Sequence, residues 1–376
     1  AARALLRVAF VLAGLGLLAL AAWISLRHYG RTLDAFGSPD AQIIIAGRVA
    51  AMLAAMLIML QFVLSARLRP LDRAFGLDRL LRYHRYGGAS AAVLATLHPA
   101  LLFATTHYNL GQAGLAQWAE ALGAVALAAL YVSGVTSLWR RAMGLSYEAW
   151  RRVHLLGFVV VVVVGVHSLA LGSDLYAGWP RRAWPALLAA YGLLFLWAKL
   201  VRPALLARRQ FRVTAVTPVS HDTWQVSLEP VGHGGIRHLP GQFVFLTLHR
   251  AGHRDERHPF TISAPPRADG SIAHTIKHSG DFTATIGETR PGDGATVEGP
   301  YGQFCHLLHA READLLLIAG GVGITPILSM LRYLAAQGDG RRITLIWGNR
   351  TEADILYRAE IEALPVSYTH LTLPTK

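Results

Sequence analysis

The chain contains few charged residues and almost no cysteine. Of its 376 residues 16% are charged and 53% are hydrophobic, with a mean hydropathy of +0.36, whereas soluble domains average about 25% charged residues. The single cysteine, Cys305, excludes a disulfide framework and any metal or iron–sulfur site built on several cysteines. Beyond Arg208 no apolar run is long enough to cross a membrane. These features exclude a wholly soluble enzyme and a disordered scaffold, and they indicate a membrane half joined to a soluble half.

Six apolar stretches in the first half could each cross about 30 Å of hydrocarbon as a helix. They are expected at residues 8–26, 42–66, 84–106, 115–139, 150–172 and 182–201. Arginines cluster between spans two and three and between spans four and five, but no Lys or Arg lies between spans three and four. This asymmetry predicts a multi-pass protein of the plasma (inner) membrane with both termini in the cytoplasm. Because the net charge of +13 arises largely at these membrane edges, we expect no nucleic acid as a partner.

Four histidines lie in two of the spans, namely His84 and His98 in the third and His154 and His167 in the fifth. Their separations of 14 and 13 residues correspond to about 21 and 19 Å along a helix, so adjacent helices would present one imidazole pair near each membrane face. This arrangement is what two bis-histidine haems require. Zinc fits poorly, because the pairs are too far apart for one tetrahedral site. The 13-residue interval also requires a distorted or tilted fifth helix, with Gly157 and Gly165 as the expected weak points.

Arg48 lies inside the second span, where an unpaired arginine costs about 2.5–3.5 kcal/mol or more. Two interpretations stay open. Arg48 either neutralises a propionate of the haem nearer the outer face, or it extends its side chain to the outer surface.

The second half shows short alternating strands separated by Gly and Pro, which favours a small antiparallel barrel. The strands are expected at 210–219, 223–229, 242–248, 259–263, 271–278 and 295–298. The segment from His258 to Ser263 offers an aromatic face and a hydroxyl to a flavin. Lys277 and the turn from Gly280 to Thr283 offer a basic side chain and backbone N–H groups to a diphosphate.

An apolar run, Leu315 to Ala319, predicts a buried parallel strand that leads into a glycine-rich turn and a helix. Such a turn lets the backbone approach a pyrophosphate at the helix N-terminus, although this one departs from the GxGxxG pattern. The next strand, Ile343 to Trp347, is followed closely by Arg350. An arginine at this position can bind an adenosine 2′-phosphate, which favours NADPH over NADH, or it can simply be solvated.

Three motifs follow the histidine pairs along the chain, in the order HPFTIS, KHSGDFT and GGVGITP. Together with the histidine pairs they resemble the ferric reductase and NADPH oxidase superfamily over about residues 42–364. The resemblance implies a six-helix transmembrane haem-binding bundle at 1–207, an antiparallel β-barrel FAD domain at 208–305 and an incomplete α/β nucleotide-binding domain at 311–365. It also implies an oxidoreductase that passes electrons from NAD(P)H through FAD and two haem b groups. The acceptor would be ferric iron or oxygen on the extracytoplasmic side.

The resemblance also assigns residues. The haem ligands would be His84, His98, His154 and His167, and Arg48 resembles an arginine beside the outer haem. The FAD site would hold a phosphate contact at His258, the flavin-stacking Phe260 and a hydroxyl near the flavin N5 at Thr261, with Pro259, Ser263, Lys277, Gly280 and Thr283 around them. The NAD(P)H loop would comprise Gly320, Gly321, Gly323, Thr325, Pro326 and Arg350. No side chain is needed as a nucleophile or general base.

Two features depart from the family pattern. Some oxygen-reducing members carry a further histidine one turn beyond the outer ligand of the third span, where this chain has Leu102, which argues against superoxide production. The family's α/β domain also continues through more strands and a Cys-Gly segment. We therefore expect this chain to bind haem and FAD but to use NADPH poorly. Residues 366–376 resemble translated adapter sequence, and we expect them to be a non-native tail.

Two other functions stay open. The chain could be a haem-containing membrane subunit fed by a separate reductase or quinone, or a six-helix carrier with a regulatory nucleotide-binding domain. The expected partners are NAD(P)H, the extracytoplasmic acceptor and the lipid bilayer, and the sequence is compatible with a homo-oligomer.

Overall fold

The computed structural model describes residues 2–32, 38–105, 115–175, 178–309, 314–364 and 367–372. The chain divides into two compact units, Ala1–Ala198 and Lys199–Lys376. The first is helical, and the second contains two sheets.

The helices of the first unit match the predicted spans. They are α1 (Ala2–Thr32), α2 (Pro39–Ser65), α3 (Arg69–Phe75), α4 (Leu77–Phe103), α5 (Leu115–Leu138), α6 (Tyr147–His154), α7 (Leu156–Leu171) and α8 (Pro180–Leu196). The last of these continues through a π-helical stretch, Trp197–Val201, into α9 (Arg202–Ala207). Six segments are long and apolar enough to cross a membrane: Arg3–His28, Pro39–Ser65, Leu77–Phe103, Gln117–Leu138, Tyr147–Leu171 and Pro180–Ala207. The prediction of six spans is confirmed, and the short α3 between spans two and three was not predicted.

Helix α2 lies at the centre of this unit. Its apolar side chains contribute to three separate core clusters, one of which packs Met52 and Met56 against Trp184 of α8. Its backbone also lies close to α4, because a methyl group at Gly47 would be only 3.3 Å from the carbonyl oxygen of His98. Glycine thus permits the approach of two helices at the level of a candidate ligand.

The fifth span is interrupted at Leu155, between α6 and α7. The N–H of Leu155 donates to the carbonyl of Arg151, four residues back, whereas the N–H of Phe158 donates to Leu155, three residues back. A switch to the tighter three-residue pattern changes the rotation of the helix locally. The predicted distortion is therefore present. It lies directly after His154, and its tight turn from Leu155 to Phe158 contains Gly157, one of the two expected weak points.

The larger sheet of the second unit is antiparallel and six-stranded. Its strands are β1 (Gln210–Ser220), β2 (Thr223–Pro230), β3 (Phe243–His249), β4 (Arg257–Thr261), β5 (Ile272–Lys277) and β6 (Gly294–Tyr301), in the order β4-β3-β6-β1-β2-β5. Just beyond β4, the N–H of Ser263 donates to the carbonyl of Ala273 in β5 at 2.8 Å, so the two end strands meet. A short helix, α10 (Asp281–Ala284), follows β5. The predicted strands are confirmed to within two residues at most ends.

A smaller parallel sheet follows. It consists of β7 (Asp314–Gly320), β8 (Arg342–Asn349) and β9 (Ser367–Thr372) in that order, with helices α11 (Ile324–Gln337) and α12 (Arg358–Glu362). The sequence predicted two strands here, so β9, which lies within the expected tail, is an addition. Residues 365, 366 and 373–376 lie outside the described residues. The domain boundary at 365 and the origin of the tail stay predictions.

Candidate cofactor sites in the two units

The four membrane histidines meet as two pairs. The ring centroids of His84 and His154 lie 5.8 Å apart, and those of His98 and His167 lie 6.4 Å apart. Two imidazoles on one metal, with metal–nitrogen bonds of about 2 Å, place their centroids roughly 6 Å apart. Both pairs therefore have the spacing that axial ligation of one iron by two histidines requires.

Three of these rings are oriented by backbone carbonyls. The Nδ1–H groups of His84, His98 and His167 donate to the carbonyl oxygens of Gln61 at 3.0 Å, Gly47 at 3.0 Å and Ala119 at 2.7 Å. A histidine whose Nδ1–H is held in this way presents Nε2 as the metal ligand, and the hydrogen bond strengthens it as a donor. These residues fit a bis-histidine iron site at both levels.

The fourth ring, His154, is held by side chains instead. Its Nδ1 lies 2.9 Å from Ser133 Oγ and 3.3 Å from Ser137 Oγ, both on α5. Trp150, one turn earlier on α6, stacks on the ring with centroids 5.2 Å apart and donates its Nε1–H to Ser137 Oγ at 3.0 Å. Sequence reasoning missed Ser133, Ser137 and Trp150, since nothing in the sequence indicates which helix face α5 turns towards α6.

A cavity of about 530 Å³ lies beside the His98 and His167 pair. Volumes of about 300–1,000 Å³ are usual for small-molecule and cofactor sites. Besides the two histidines its lining includes Arg48, Ala55 and Gly123. The guanidinium of Arg48 donates from one terminal nitrogen to the carbonyl of Leu171 at 3.4 Å. Arg48 therefore faces the same space as this histidine pair, as its predicted role requires, while a contact with a propionate stays a prediction.

In the second unit, His258 and Phe260 form an aromatic cluster with Phe282 of α10. The rings of His258 and Phe282 stack with centroids 4.2 Å apart, and Phe260 lies 6.2 Å from Phe282. His258 also approaches Glu256, with Nε2 3.0 Å from a carboxylate oxygen. The structure thus brings two predicted FAD residues together with Phe282, which sequence reasoning did not select. Pro259 is exposed on the same strand, and Thr261 is half-buried at its end.

Two predicted FAD residues are engaged with the protein itself. Ser263 is fully buried, and its hydroxyl donates to Ala273 O at 3.1 Å and accepts from Thr275 Oγ1 at 2.9 Å. The Lys277 ammonium lies 3.1 Å from a carboxylate oxygen of Asp222 and 3.2 Å from one of Asp354. Partial burial lowers the pKa of Lys277, but hydrogen bonds to these carboxylates raise it above its ordinary value overall. Both groups therefore have partners within the protein, and their cofactor contacts stay predictions.

The predicted diphosphate turn has free space next to its glycine. A methyl group at Gly280 would meet no atom within 4 Å, so packing does not require glycine there. Thr283 Oγ1 accepts the N–H groups of Ser279 and Gly280 at 2.8 and 2.9 Å. A phosphate at this turn would have to compete with the Thr283 hydroxyl for those two donors.

Two buried histidines support the segment that carries the predicted flavin hydroxyl. His274 Nδ1–H donates to the carbonyl of Thr261 at 2.8 Å, and His238 Nε2 lies 3.4 Å from the carbonyl of Ala264. His274 projects among the apolar side chains of the barrel core, between Ile272 and Ile276 on its strand. Burial lowers the pKa of His274 to about 4, outweighing the opposing effect of its bond to Thr261. Both rings were missed by sequence reasoning, because neither the strand around His274 nor the irregular segment around His238 carries a sign of their burial.

The glycine-rich turn between β7 and α11 is open in the same way as Gly280. A methyl group at Gly320, Gly321 or Gly323 would meet no atom within 4 Å. Gly321 has φ +49°, which favours glycine, and its carbonyl accepts the Nε1–H of the buried Trp347 at 3.0 Å. Thr325 is buried, with its hydroxyl donating to Val322 O at 3.1 Å, and Pro326 lies in the first turn of α11. The turn is thus fixed by its hydrogen bond to Trp347 and has free space at its glycines, as close approach of a pyrophosphate requires.

Next to this turn, Asn349 ends β8. It is 3% exposed, and neither atom of its side-chain amide has a hydrogen-bond partner within the described part of the chain. A buried amide without partners is costly, so a ligand at the carboxyl ends of these strands would find a donor and an acceptor here. The predicted Arg350 follows directly and is exposed. Asn349 is thus a further candidate that the sequence analysis passed over.

Three family models match the chain. The ferric reductase like transmembrane component matches residues 50–165, the oxidoreductase FAD-binding domain matches residues 210–306, and the oxidoreductase NAD-binding domain matches residues 317–375. The first contains three of the four paired histidines, while Arg48 and His167 lie two residues outside it. The third extends through β9.

Three relatives each match less than half of this chain. The reductase component of propane 2-monooxygenase from Mycolicibacterium goodii is 35% identical over 152 residues, which are 40% of this chain and 42% of that protein. Ferredoxin–NADP reductase B of Sorangium cellulosum is 33% identical over 41% of this chain and 63% of its own. A solved FAD/NAD-binding domain of nitric oxide dioxygenase from Vibrio cholerae is 20% identical, with a TM-score of 0.41, over 45% of this chain and 75% of that one.

The chain spans less than half the length of the first curated relatives it matches. Its domain content is nevertheless specific, because the transmembrane model and the two nucleotide-domain models occur on one chain in the order that the motifs predicted. The chain therefore belongs to the superfamily of ferric reductases and NADPH oxidases, with a ferredoxin-reductase-type FAD/NAD module following its membrane domain.

Proposed function

We propose that this chain is a membrane oxidoreductase that takes electrons from cytosolic NAD(P)H and passes them, through FAD and two b-type haems, to an acceptor on the extracytoplasmic side. The observation that carries the proposal is the convergence of four histidines into two pairs with centroids 5.8 and 6.4 Å apart. Ionisable residues in membrane spans are rare and are usually functional. Two matched pairs of them are hard to explain by packing alone.

The membrane unit would hold its haems at two depths. His84 and His98 are 14 residues apart on the uninterrupted α4, about 21 Å along the axis, so the two sites divide one long crossing into shorter steps. The arginine-rich edge between spans two and three favours the cytosolic side for the His84 and His154 pair. His98 and His167 would then lie near the extracytoplasmic face, with Arg48 beside them.

When bound, FAD accepts an electron pair as hydride and releases single electrons, which matches a two-electron donor to one-electron haem iron. The barrel residues would position it. Phe260 would stack on the flavin ring, Thr261 would place its hydroxyl near the reactive edge, and His258 would contact a phosphate. His274 and His238 would fix the backbone that carries these residues, through their bonds to Thr261 and Ala264.

The nucleotide would lie over the turn from Gly320 to Gly323, whose open backbone suits a pyrophosphate. Arg350 would recognise a 2′-phosphate and favour NADPH. The final acceptor would be ferric iron or oxygen. At the position of the further histidine found in some oxygen-reducing members, this chain has the buried Leu102, which favours ferric iron.

Purification of the full chain in detergent, followed by measurement of haem, flavin and electron transfer, tests the proposal. We expect two low-spin haems and one FAD per chain. Anaerobic NADPH should reduce the haems only when FAD is present, whereas dithionite should reduce them with or without FAD.

Three outcomes would contradict the proposal in different ways. A colourless protein would favour the carrier. Two haems without FAD binding would favour a haem subunit fed by another reductase or by quinone. FAD without haem would restrict the chain to a flavin reductase, and the histidine pairs would then need another explanation.

A further inference from the structure

The four paired histidines are not held alike. Three of them donate Nδ1–H to backbone carbonyls, and the fourth, His154, relies on side-chain hydroxyls. We propose that Ser133 is a positioning residue for His154 and that its hydroxyl sets the reduction potential of the haem held by His84 and His154. The inference rests on the proposed function in one respect only, namely that a haem occupies this pair.

Ser133 is the main hydrogen-bond acceptor for the Nδ1–H of His154. With Nε2 of His154 as the metal ligand, the ring proton lies on Nδ1 and must be donated. Ser137 Oγ is 3.3 Å away, donates its own hydrogen to the carbonyl of Ser133 at 2.6 Å and already accepts the Trp150 Nε1–H. Ser133 Oγ is closer, at 2.9 Å, and the residue is 6% exposed. Its hydroxyl therefore carries most of the interaction with the ring.

The surrounding contacts fix the direction of this bond. Trp150 stacks on His154 at an interplanar angle of 24°, so the ring cannot rotate freely about its side-chain axis. The same tryptophan is tied to α5 through Ser137. The hydroxyl pair and the indole together hold His154 at the end of α6, directly before the interruption at Leu155.

The identity of the acceptor matters because a hydrogen bond from Nδ1–H makes the imidazole a stronger electron donor to iron, and stronger donation stabilises the ferric state. At the other three ligands the acceptor is backbone and no side-chain substitution removes it. At His154 a single substitution, at Ser133, removes the nearer of the two hydroxyl acceptors. Of the hydrogen bonds that hold the four rings in the described part of the chain, those at His154 alone therefore depend on the identity of a neighbouring side chain.

The test compares Ser133→Ala with Ser133→Thr and with Thr136→Val in the full, haem-loaded chain. Thr136 is the matched control, since it lies on the same helix, is 7% exposed and donates its hydroxyl to Val132 and Ser133 carbonyls. Redox titration followed by optical and electron paramagnetic resonance spectra measures each haem separately. We expect Ser133→Ala to raise the midpoint potential of one haem, changing its reduction equilibrium by up to about tenfold, or about 59 mV for one electron.

The remaining expectations follow from the same contact. Ser133→Thr keeps a hydroxyl and should retain the original potential and the original low-spin signal of that haem, and Thr136→Val should also leave both unchanged. Loss of one haem from Ser133→Ala, with full content in Ser133→Thr and Thr136→Val, would equally support a positioning role.

Unchanged potential and haem content in Ser133→Ala would overturn the proposal. An equal shift of both haems, or the same shift in Thr136→Val, would overturn it too. A chain that binds no haem before any substitution would instead contradict the proposed function, so the two failures are distinguishable.

Discussion

Gly123 of α5 lies against the ring of His167 on α7, so that a methyl group at this glycine would be 2.8 Å from Cε1 and 3.0 Å from Nδ1 of the histidine. The same ring donates Nδ1–H to the carbonyl of Ala119, one turn earlier on α5. A side chain at position 123 would therefore displace the ring from α5, which carries its acceptor, and disturb its pairing with His98.

Gly123→Ala is expected to lower the content of the haem at His98 and His167 to well under half, because the ring would have to move by several tenths of an ångström. Gly134→Ala, on the same helix, is the control, since a methyl group there meets no atom within 4 Å. Haem content per chain is measured by pyridine haemochrome assay. Equal loss in both variants would show that helix α5 merely tolerates substitution poorly.

Removing one histidine from a pair should remove one haem. His98→Leu is expected to leave one low-spin haem per chain, held by His84 and His154, and His84→Leu is expected to leave the other. The reason is that each pair has its own centroid spacing and its own hydrogen-bond partners. Optical spectra and haem stoichiometry check the expectation. Two haems remaining in His98→Leu, or no spectral change in His84→Leu, would contradict the pairing.

Arg48→Leu should slow reduction of the external acceptor without slowing flavin reduction by NAD(P)H. Arg48 lines the cavity beside His98 and His167, where its positive charge would favour electron arrival at the haem and neutralise a propionate. Stopped-flow traces at flavin and haem wavelengths separate the two steps. Arg27→Leu is the control, because Arg27 is an exposed cation packed over Trp23. An unaltered acceptor rate and haem potential in Arg48→Leu would leave Arg48 as a surface-directed residue.

His274 should make the stability of the second unit depend on pH. Its pKa is lowered by burial from 6.5 to about 4, so the unfolded chain binds a proton that the folded chain does not. The stability from the neutral ring is complete above about pH 6.5 and is lost as the pH falls towards 4, at up to about 1.4 kcal/mol per pH unit. Thermal release of FAD fluorescence at several pH values measures this slope.

His274→Gln removes the titrating ring and keeps an N–H donor, so its slope between pH 6.5 and 4 should be shallower than that of the unaltered chain. Part of the slope should remain, because burial also lowers the pKa of His238. His221→Gln is the control, since the His221 side chain is 65% exposed. A slope that is identical in all three proteins would contradict the assignment.

Arg350→Ala is expected to raise the KM for NADPH about tenfold or more while changing the KM for NADH little, since a lost contact to a 2′-phosphate costs a charge-assisted hydrogen bond of about 1.5–3 kcal/mol. Arg342→Ala serves as the control at the opposite end of β8, where Arg342 is exposed and paired with Asp314. Steady-state reduction of a soluble dye with each nucleotide provides the measurement. Equal effects on NADPH and NADH would remove the basis for the NADPH preference.

Much of the architecture follows from the sequence through local rules. Runs of apolar residues long enough to cross a membrane define the six spans, because hydrocarbon leaves backbone groups no partner outside a helix. Alternation and Gly/Pro punctuation locate the six strands of the barrel, since side chains of a half-buried strand alternate between core and solvent. The 13-residue spacing even required a distorted or tilted fifth span, and the structure places the break at Leu155.

For the histidine pairs, local rules predicted the position of each residue along its helix but not the hydrogen-bond partner of its ring. The sequence determined that His84, His98, His154 and His167 lie in two spans at matching depths, because rise per residue is fixed in a helix. Only the tertiary structure decided which atoms hold each ring, namely the carbonyls of Gln61, Gly47 and Ala119 and the hydroxyl of Ser133. These partners lie on other helices, and helix–helix rotation is set by packing over the whole bundle.

At the nucleotide sites, too, the sequence predicted some features and the tertiary structure decided others. The sequence predicted the glycine turn from Gly320 to Gly323, because the residues that would approach a pyrophosphate are consecutive in the chain. The tertiary structure decided that Lys277 pairs with Asp222 and Asp354 and that Ser263 is buried. It also decided that the buried Asn349 amide has no hydrogen-bond partner among the described residues. Each depends on contacts between residues that are distant in the chain, and composition or spacing within one segment carries no information about such contacts.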